Sequence, residues 1–199
     1  EFQKDDWLWQ SVERGYGEIT PFLPSWIIPK TSHAYQRRVV IAHSLGTHLL
    51  AEKLLEEATD IVLLCSFSRF IPTGSKRRSV DIALQGMYKS LGTEHEVTML
   101  KNFLRKACYP ESLDNVKPGP ITKGLSIKGR EKLKSDLQLL MQTKGLPDRI
   151  STKCRILVIQ GEEDSIVAAE SRSNLIKELR KHLDSPPTLW GIPEAGHLL

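Results

Sequence analysis

An α/β protein with a mainly parallel sheet and an inserted helical segment is what the sequence predicts, and three observations predict it. Short, continuous apolar runs recur at "RRVVIAH", "DIVLLCSF" and "CRILVIQ", each strand-sized. Amphipathic stretches of helical spacing follow them, as the crossovers between parallel strands require. Between residues 67 and 150 the strand pattern stops and only helical spacing remains.

Taken in order, "DWLWQSVERGYG" predicts a short strand, Trp7 to Gln10, entering a turn with Gly15 and Gly17. Pro21, Pro24 and Pro29 make the next stretch irregular, because proline serves neither a helix interior nor a central ladder. "RRVVIAH" is a buried strand, and "GTHLLAEKLLEEA" spaces Leu49, Leu50, Leu54 and Leu55 as one amphipathic helix. After the strand "DIVLLCSF", helices are expected over 79–91, 93–107 and about 126–144. The proline-rich "YPESLDNVKPGP" is the loop between the last two. The strand "CRILVIQ", the helix "AAESRSNLIKELRKHL" and the short strand "TLWGIP" complete the series.

Composition bounds the function. At 199 residues the chain suits one core with an inserted subdomain. Its 40% apolar and 26% charged content is that of an ordinary soluble protein. No run approaches the roughly 20 apolar residues needed to span a bilayer, so no membrane role is expected. Cys65, Cys108 and Cys154 are few, odd in number and widely spaced, which argues for a reducing compartment. Without a leader-like opening segment, a cytoplasmic setting is the expectation. Paired Cys/His spacing is missing, so neither a metal nor a cofactor is expected.

Charge is uneven. Between residues 70 and 136 there are thirteen Lys and Arg against seven Asp and Glu, while the whole chain is only +4. Lysines on amphipathic helices commonly just solvate an exposed face, so this asymmetry has a bland explanation as well as a functional one. Nucleic acid is a poor partner for it, since the basic helices lack interleaved aromatics and carry no binding motif.

The chemistry centres on "VVIAHSLGTHLL". Where a strand turns sharply into a helix around a nucleophile, the residues two before and two after must be small. Ala42 and Gly46 meet that need around Ser44. A serine at a helix N-terminus is an equally common explanation of the motif alone. The partners change the balance, because ligands and chemistry gather at the carboxyl ends of parallel strands. Asp164 follows the strand "ILVIQ", and His197 follows "TLWGI". Glu162 and Glu163 compete with Asp164 as acids on the same turn. His43, His48, His33, His95 and His182 read as pocket-lining, packing or surface histidines.

"AHSLG", "GEEDSIV" and "PEAGHLL", in that order, resemble the three catalytic segments of the α/β-hydrolase superfamily, and "ERGYG" resembles its D-x-R-G-x-G turn. The usual first glycine of the elbow is Ala42 here. The resemblance covers essentially the whole chain. It implies an α/β-hydrolase core at 1–66 and 151–199, with residues 67–150 as a helical cap inserted between core strands. It implies Ser44 as nucleophile, His197 as base, Asp164 as its acid partner and the Leu45 N–H as an oxyanion donor. Asp164 is preferred over its neighbours because Ile166 fills the apolar position of the family's G-x-x-D-x-[IV] pattern. The family's H-G loop does not precede "ERGYG", so the chain is expected to begin inside the fold, lacking its first strands, and to stop short of the last helix.

Within the superfamily, the size and basic cap resemble the pimeloyl-[acyl-carrier protein] methyl ester esterases of biotin synthesis. That likeness implies a monomeric serine carboxylesterase acting on a small or carrier-tethered ester. His43, Phe67, Met87 and Phe103 are then candidates to touch substrate. Arg77, Arg78, Arg105, Lys106, Arg130 and Lys134 are candidates to receive an acidic carrier protein. A thioesterase, a general small-ester hydrolase and a non-catalytic ligand-binding protein of the same fold are the alternatives.

Overall fold

The structure, a computed structural model, describes residues 7–27, 37–115, 119 and 124–199. Four strands form one sheet in the order β1 (Val39–His43), β2 (Asp60–Leu64), β3 (Arg155–Gly161) and β4 (Thr188–Ile192), every neighbouring pair parallel. Spatial order equals chain order, so each crossover carries the chain one strand sideways. The result is a row of four carboxyl ends along one edge, which is where chemistry collects in such sheets.

Alternation along the strands decides the core. Val40 and Ala42 of β1, Ile61 and Leu63 of β2, and Ile156 and Val158 of β3 point to one face. There they meet Leu55 of α2 (Glu52–Glu57) and Leu175 and Leu179 of α6 (Ala169–His182). Burying these aliphatic side chains stabilises the fold by roughly 1.5–3 kcal/mol each before entropy is counted. The other face is less covered: Ile41 is 49% exposed, and Val62, Leu64, Leu157 and Ile159 are half-buried. Cys154 lies in the core at the start of β3, and burial raises its thiol pKa to about 11.

Between β2 and β3 lie α3 (Arg77–Ser90), α4 (Glu96–Cys108) and α5 (Ile127–Gln142), with a 3-10 turn at Leu113–Asn115. They share a second core in which Phe67, Phe70, Leu84, Leu91, Leu137 and Val167 are buried. The entry and exit of this segment are pinned together, because the Phe70 N–H donates to Thr143 Oγ1 at 3.0 Å. Glu96 of α4 forms a fork with Arg130 of α5. The Arg130 hydrogen bonds, against a smaller effect of burial, hold the Glu96 carboxyl below the usual range.

Two expected elements come out differently. Residues 7–10 form no strand; only an isolated antiparallel bridge joins Glu13 to Phe22. The Gln10 amide side chain satisfies both the carbonyl and the N–H of Ser25, at 2.7 and 3.2 Å, in place of a ladder. The single helix expected from Gly46 onward is two, α1 (Gly46–Leu49) and α2, separated by extended Leu50 and Ala51. The break lets Leu50 turn onto the sheet core while His48 donates from Nε2 to the Phe67 carbonyl at 3.1 Å. Pro29 and the end of the proline-rich loop fall partly outside the described residues.

The turn "ERGYG" grips the inserted helices. Arg14 makes a bidentate pair with buried Asp136 of α5, and the Tyr16 hydroxyl donates to the same carboxylate at 2.6 Å. Gly129 lets α5 come this close, since a Cβ there would overlap the Tyr16 carbonyl. Truncating Asp136 leaves two donors without their acceptor. Asp136→Ala is therefore expected to lower stability by about 2 kcal/mol in urea denaturation, with Arg14→Ala costing similarly. The double variant should lose little more than either single change, because both remove one interaction.

Candidate active site

Ser44 follows the last residue of β1 and adopts φ +54°, a left-handed conformation that costs a non-glycine residue roughly 1–2 kcal/mol. The turn is held against relaxing on both sides. Its N–H donates to the Leu64 carbonyl at 2.9 Å, and its carbonyl accepts from Ser66 Oγ at 2.8 Å. Its two flanks lie close together: a Cβ on Gly46 would stand in van der Waals contact with that of Ala42, at 3.5 Å. The strain projects Oγ beyond the end of the sheet.

His197 Nε2 lies 3.1 Å from Ser44 Oγ, and Nδ1 lies 3.0 Å from Asp164 Oδ2. Asp164 Oδ1 accepts the N–H groups of Ile166 and Val167 at 2.8 and 3.0 Å. Burial of Asp164 works against its ionisation, but the hydrogen bond from His197 and those backbone donors outweigh it and hold the carboxyl below its usual value. An ionised carboxylate can only accept, so the imidazole proton sits on Nδ1. Nε2 is left with a lone pair facing the serine hydroxyl. Glu162 and Glu163 are exposed, and their backbone N–H groups donate to the Ile192 carbonyl at the end of β4 and to the Ala195 carbonyl beyond it.

Ser44 and His197 follow β1 and β4, the two outer strands of the described sheet, so the loop after β4 crosses the strand ends between them. It does so on three successive carbonyls. The Ala195 carbonyl accepts from the Glu163 N–H beyond β3 at 2.9 Å, and the Gly196 carbonyl from the Cys65 thiol beyond β2 at 3.6 Å. The His197 carbonyl accepts from His43 Nε2 at the end of β1, at 2.7 Å. Gly161 lets the loop approach, because a Cβ there would overlap the Ala195 and Gly196 carbonyls. Cys65 is fully buried; burial raises its thiol pKa to about 11, and its sulfur also accepts from the Gly161 N–H. Cys65, Asp164 and His197 form a close Cys/Asp/His group, which belongs to this same centre.

The helices between β2 and β3 sit over these turns. Leu45, next to Ser44, and Ile166, two residues after Asp164, pack into their core. The Lys106 carbonyl at the end of α4 accepts from Ser165 Oγ at 3.2 Å. Of the other singled-out residues, Phe67 is buried at 1% exposure in that core, stacked on His48, and Met87 packs half-buried beside it. Phe103 is half-buried on α4. Arg77 and Arg78 are exposed at the start of α3, and Arg105 and Lys106 at the end of α4. Arg130 is occupied by Glu96, and the Lys134 ammonium lies 5.9 Å from the Tyr88 ring centre. Among the described residues no helix is long and apolar enough to cross a membrane.

A parallel sheet with these strand-end turns and a helical insertion is the α/β-hydrolase fold, and solved structures agree on it. A thermophilic esterase from Thermogutta terrifontis is similar over 81% of this chain and 58% of its own, with 17% identity and a TM-score of 0.54. An esterase from Exiguobacterium antarcticum (16% identity, 81% and 60% covered, TM-score 0.52) and a bromoperoxidase from Bacillus anthracis (13%, 81% and 61%, 0.54) are similar to the same extent. The chain thus spans about three-fifths of the length of these structures. No family model and no curated protein matches its sequence.

Sequence reasoning placed Ser44, Asp164 and His197 at strand ends but missed what holds the loop between them. Cys65 read only as one of three scattered thiols and His43 as a pocket wall; no local pattern announces a side chain that bonds a distant carbonyl.

The lowered carboxyls carry a pH consequence. Asp164 and Glu96 are joined by Asp60, where hydrogen bonds from Arg37, Thr59 and Arg155 outweigh the opposing effect of burial. A depressed folded-state pKa gives stability that is complete above the unfolded value of about 4 and is lost as pH falls through the folded one. Calorimetry should therefore find the melting temperature nearly flat from about pH 7 to 5 on account of these groups, then falling below about pH 4. Asp164→Asn should shallow that fall.

Proposed function

We propose that this protein is a serine carboxylesterase. The observation that carries the reading is the continuous chain from Ser44 Oγ through His197 to buried, ionised Asp164, with the serine held at positive φ. A strained nucleophile, a base with its lone pair toward it and an acid fixing the tautomer are the parts acyl transfer needs.

In the first step Ser44 Oγ attacks the ester carbonyl while His197 Nε2 takes its proton. Asp164 stabilises the resulting imidazolium, and the Leu45 N–H, directly after the nucleophile, donates to the oxyanion. Collapse of the tetrahedral species expels the alcohol, which receives the proton from Nε2. Water then attacks the acyl-serine with His197 as base, releasing the acid and restoring Ser44. The likeness in fold to proteins named as esterases supports this reaction class.

The substrate proposed is a small or carrier-tethered ester, with pimeloyl-[acyl-carrier protein] methyl ester as the specific candidate. Arg105 and Lys106 support a carrier-borne substrate: both are exposed in the last turn of α4, whose end touches the acid loop. Arg77 and Arg78 extend the basic surface. Arg130, spent on Glu96, contributes less to it. A cytoplasmic, monomeric enzyme without a metal or other cofactor completes the proposal.

Fluorophosphonate labelling read by mass spectrometry tests the nucleophile. The adduct should fall on Ser44 and disappear in Ser44→Ala and His197→Ala, with turnover of p-nitrophenyl butyrate lowered by roughly 10⁴–10⁶ in either. A folded protein that takes no adduct would overturn the esterase. Matched oxygen ester and thioester substrates then separate it from a thioesterase. On carrier-borne methyl ester, Arg105→Glu/Lys106→Glu should raise KM several-fold, an effect that salt should mimic in the unmodified protein.

A further inference from the structure

We infer that His43 is a positioning residue for His197, holding the base in register by bonding its backbone; the inference rests on the serine-esterase reading above. Ser44 leaves β1 and His197 lies in the loop after β4, at the other end of the described row of strands. No ladder holds this loop, since β4 ends at Ile192 and a turn follows at Pro193–Glu194.

Side chains and turns from the other strands supply the holding bonds. Ala195, Gly196 and His197 hand their carbonyls in turn to donors beyond β3, β2 and β1. Of the three, the His43 bond is the shortest, at 2.7 Å, and the only one made to the base itself. A carbonyl can only accept, so His43 carries a proton on Nε2 and donates it. The two imidazoles also pack together, ring centres 4.7 Å apart and tilted by 54°. His43 therefore fixes both the backbone and one side of His197, while Asp164 fixes Nδ1 and Ser44 lies against Nε2. His43 does not reach Ser44 Oγ in place of the base. Its part is to keep two 3 Å contacts satisfied at once.

Because His43 immediately precedes the nucleophile, one strand end sets both partners. A shift of the base by an ångström is enough to cost about a hundredfold in rate.

The test uses three forms of the protein: unmodified, His43→Phe, which keeps a ring but loses the donor, and His43→Gln, whose amide can still donate to the carbonyl. With p-nitrophenyl butyrate, H43F should lower kcat by about ten- to a hundredfold with KM changed less than about twofold. H43Q should recover most of the loss. Fluorophosphonate titration of active serines and the melting temperature separate mispositioning from misfolding. Independently of turnover, the downfield NMR resonance of the His197 Nδ1 proton should be present in the unmodified protein and H43Q and lost to solvent exchange in H43F.

Full kcat in H43F with the Nδ1 resonance intact would overturn the inference. So would a loss in H43F that H43Q does not recover, accompanied by an unaltered resonance. If the unmodified protein neither labels nor turns over, the esterase reading fails on its own, and the resonance in the two variants still decides what His43 does.

Discussion

Four parallel strands in sequential order impose the constraint on which the rest of this structure turns. The order places all carboxyl ends on one edge, which assembles the centre, but it also sets Ser44 and His197 at the two ends of the described row. The loop after β4, pinned by its carbonyls, joins them. That loop explains the glycines at 161 and 196, whose missing side chains are what permit the crossing. It explains why a buried thiol at 65 and an imidazole at 43 face carbonyls rather than each other. The Ser44–His197–Asp164 geometry is thus a property of the sheet edge, more than of any one turn.

The inserted helices act on that edge from above. Their core includes Leu45 and Ile166, and the end of α4 rests on the acid loop and on Gly196, where a Cβ would overlap the Tyr109 carbonyl. Two charge pairs keep the helices where they are: Arg14–Asp136 from the turn before the sheet, and Arg130–Glu96 within the segment. Both are semi-buried and forked, a geometry in which arginine outperforms lysine. A basic surface and an internal clamp therefore draw on the same pool of arginines, and formal charge alone does not distinguish them.

Much of this was legible in the sequence. Strands at 39–43, 60–64 and 155–161 announce themselves by continuous apolar runs, and the helices around Leu84, Leu100 and Leu137 by their spacing. Ser44, Asp164 and His197 were legible for a related reason: each sits where a recognisable strand stops. What stayed hidden was long-range. Arg14 and Asp136 are 122 residues apart, and His43 and the His197 carbonyl 154, so no window of sequence contains both partners. Local competition hid the rest. Gln10 satisfying Ser25 replaced a strand, and an extended Leu50 split a helix whose leucine spacing looks continuous.

The three cysteines give this architecture an unplanned set of reporters. Each thiol is buried and each has its pKa raised by that burial, so the folded protein offers little thiolate to an alkylating reagent. They sit in three mechanically different places: Cys154 in the sheet core, Cys65 under the crossing loop and Cys108 at the end of α4. Reagent can reach each one only through a local opening, and the modification rate at each measures the free energy of that opening. Three masses in one spectrum thus resolve breathing of the core, of the crossing loop and of the helices above it. Inactivation by a thiol reagent, by the same logic, would time the loosening of the loop rather than betray a catalytic sulfur.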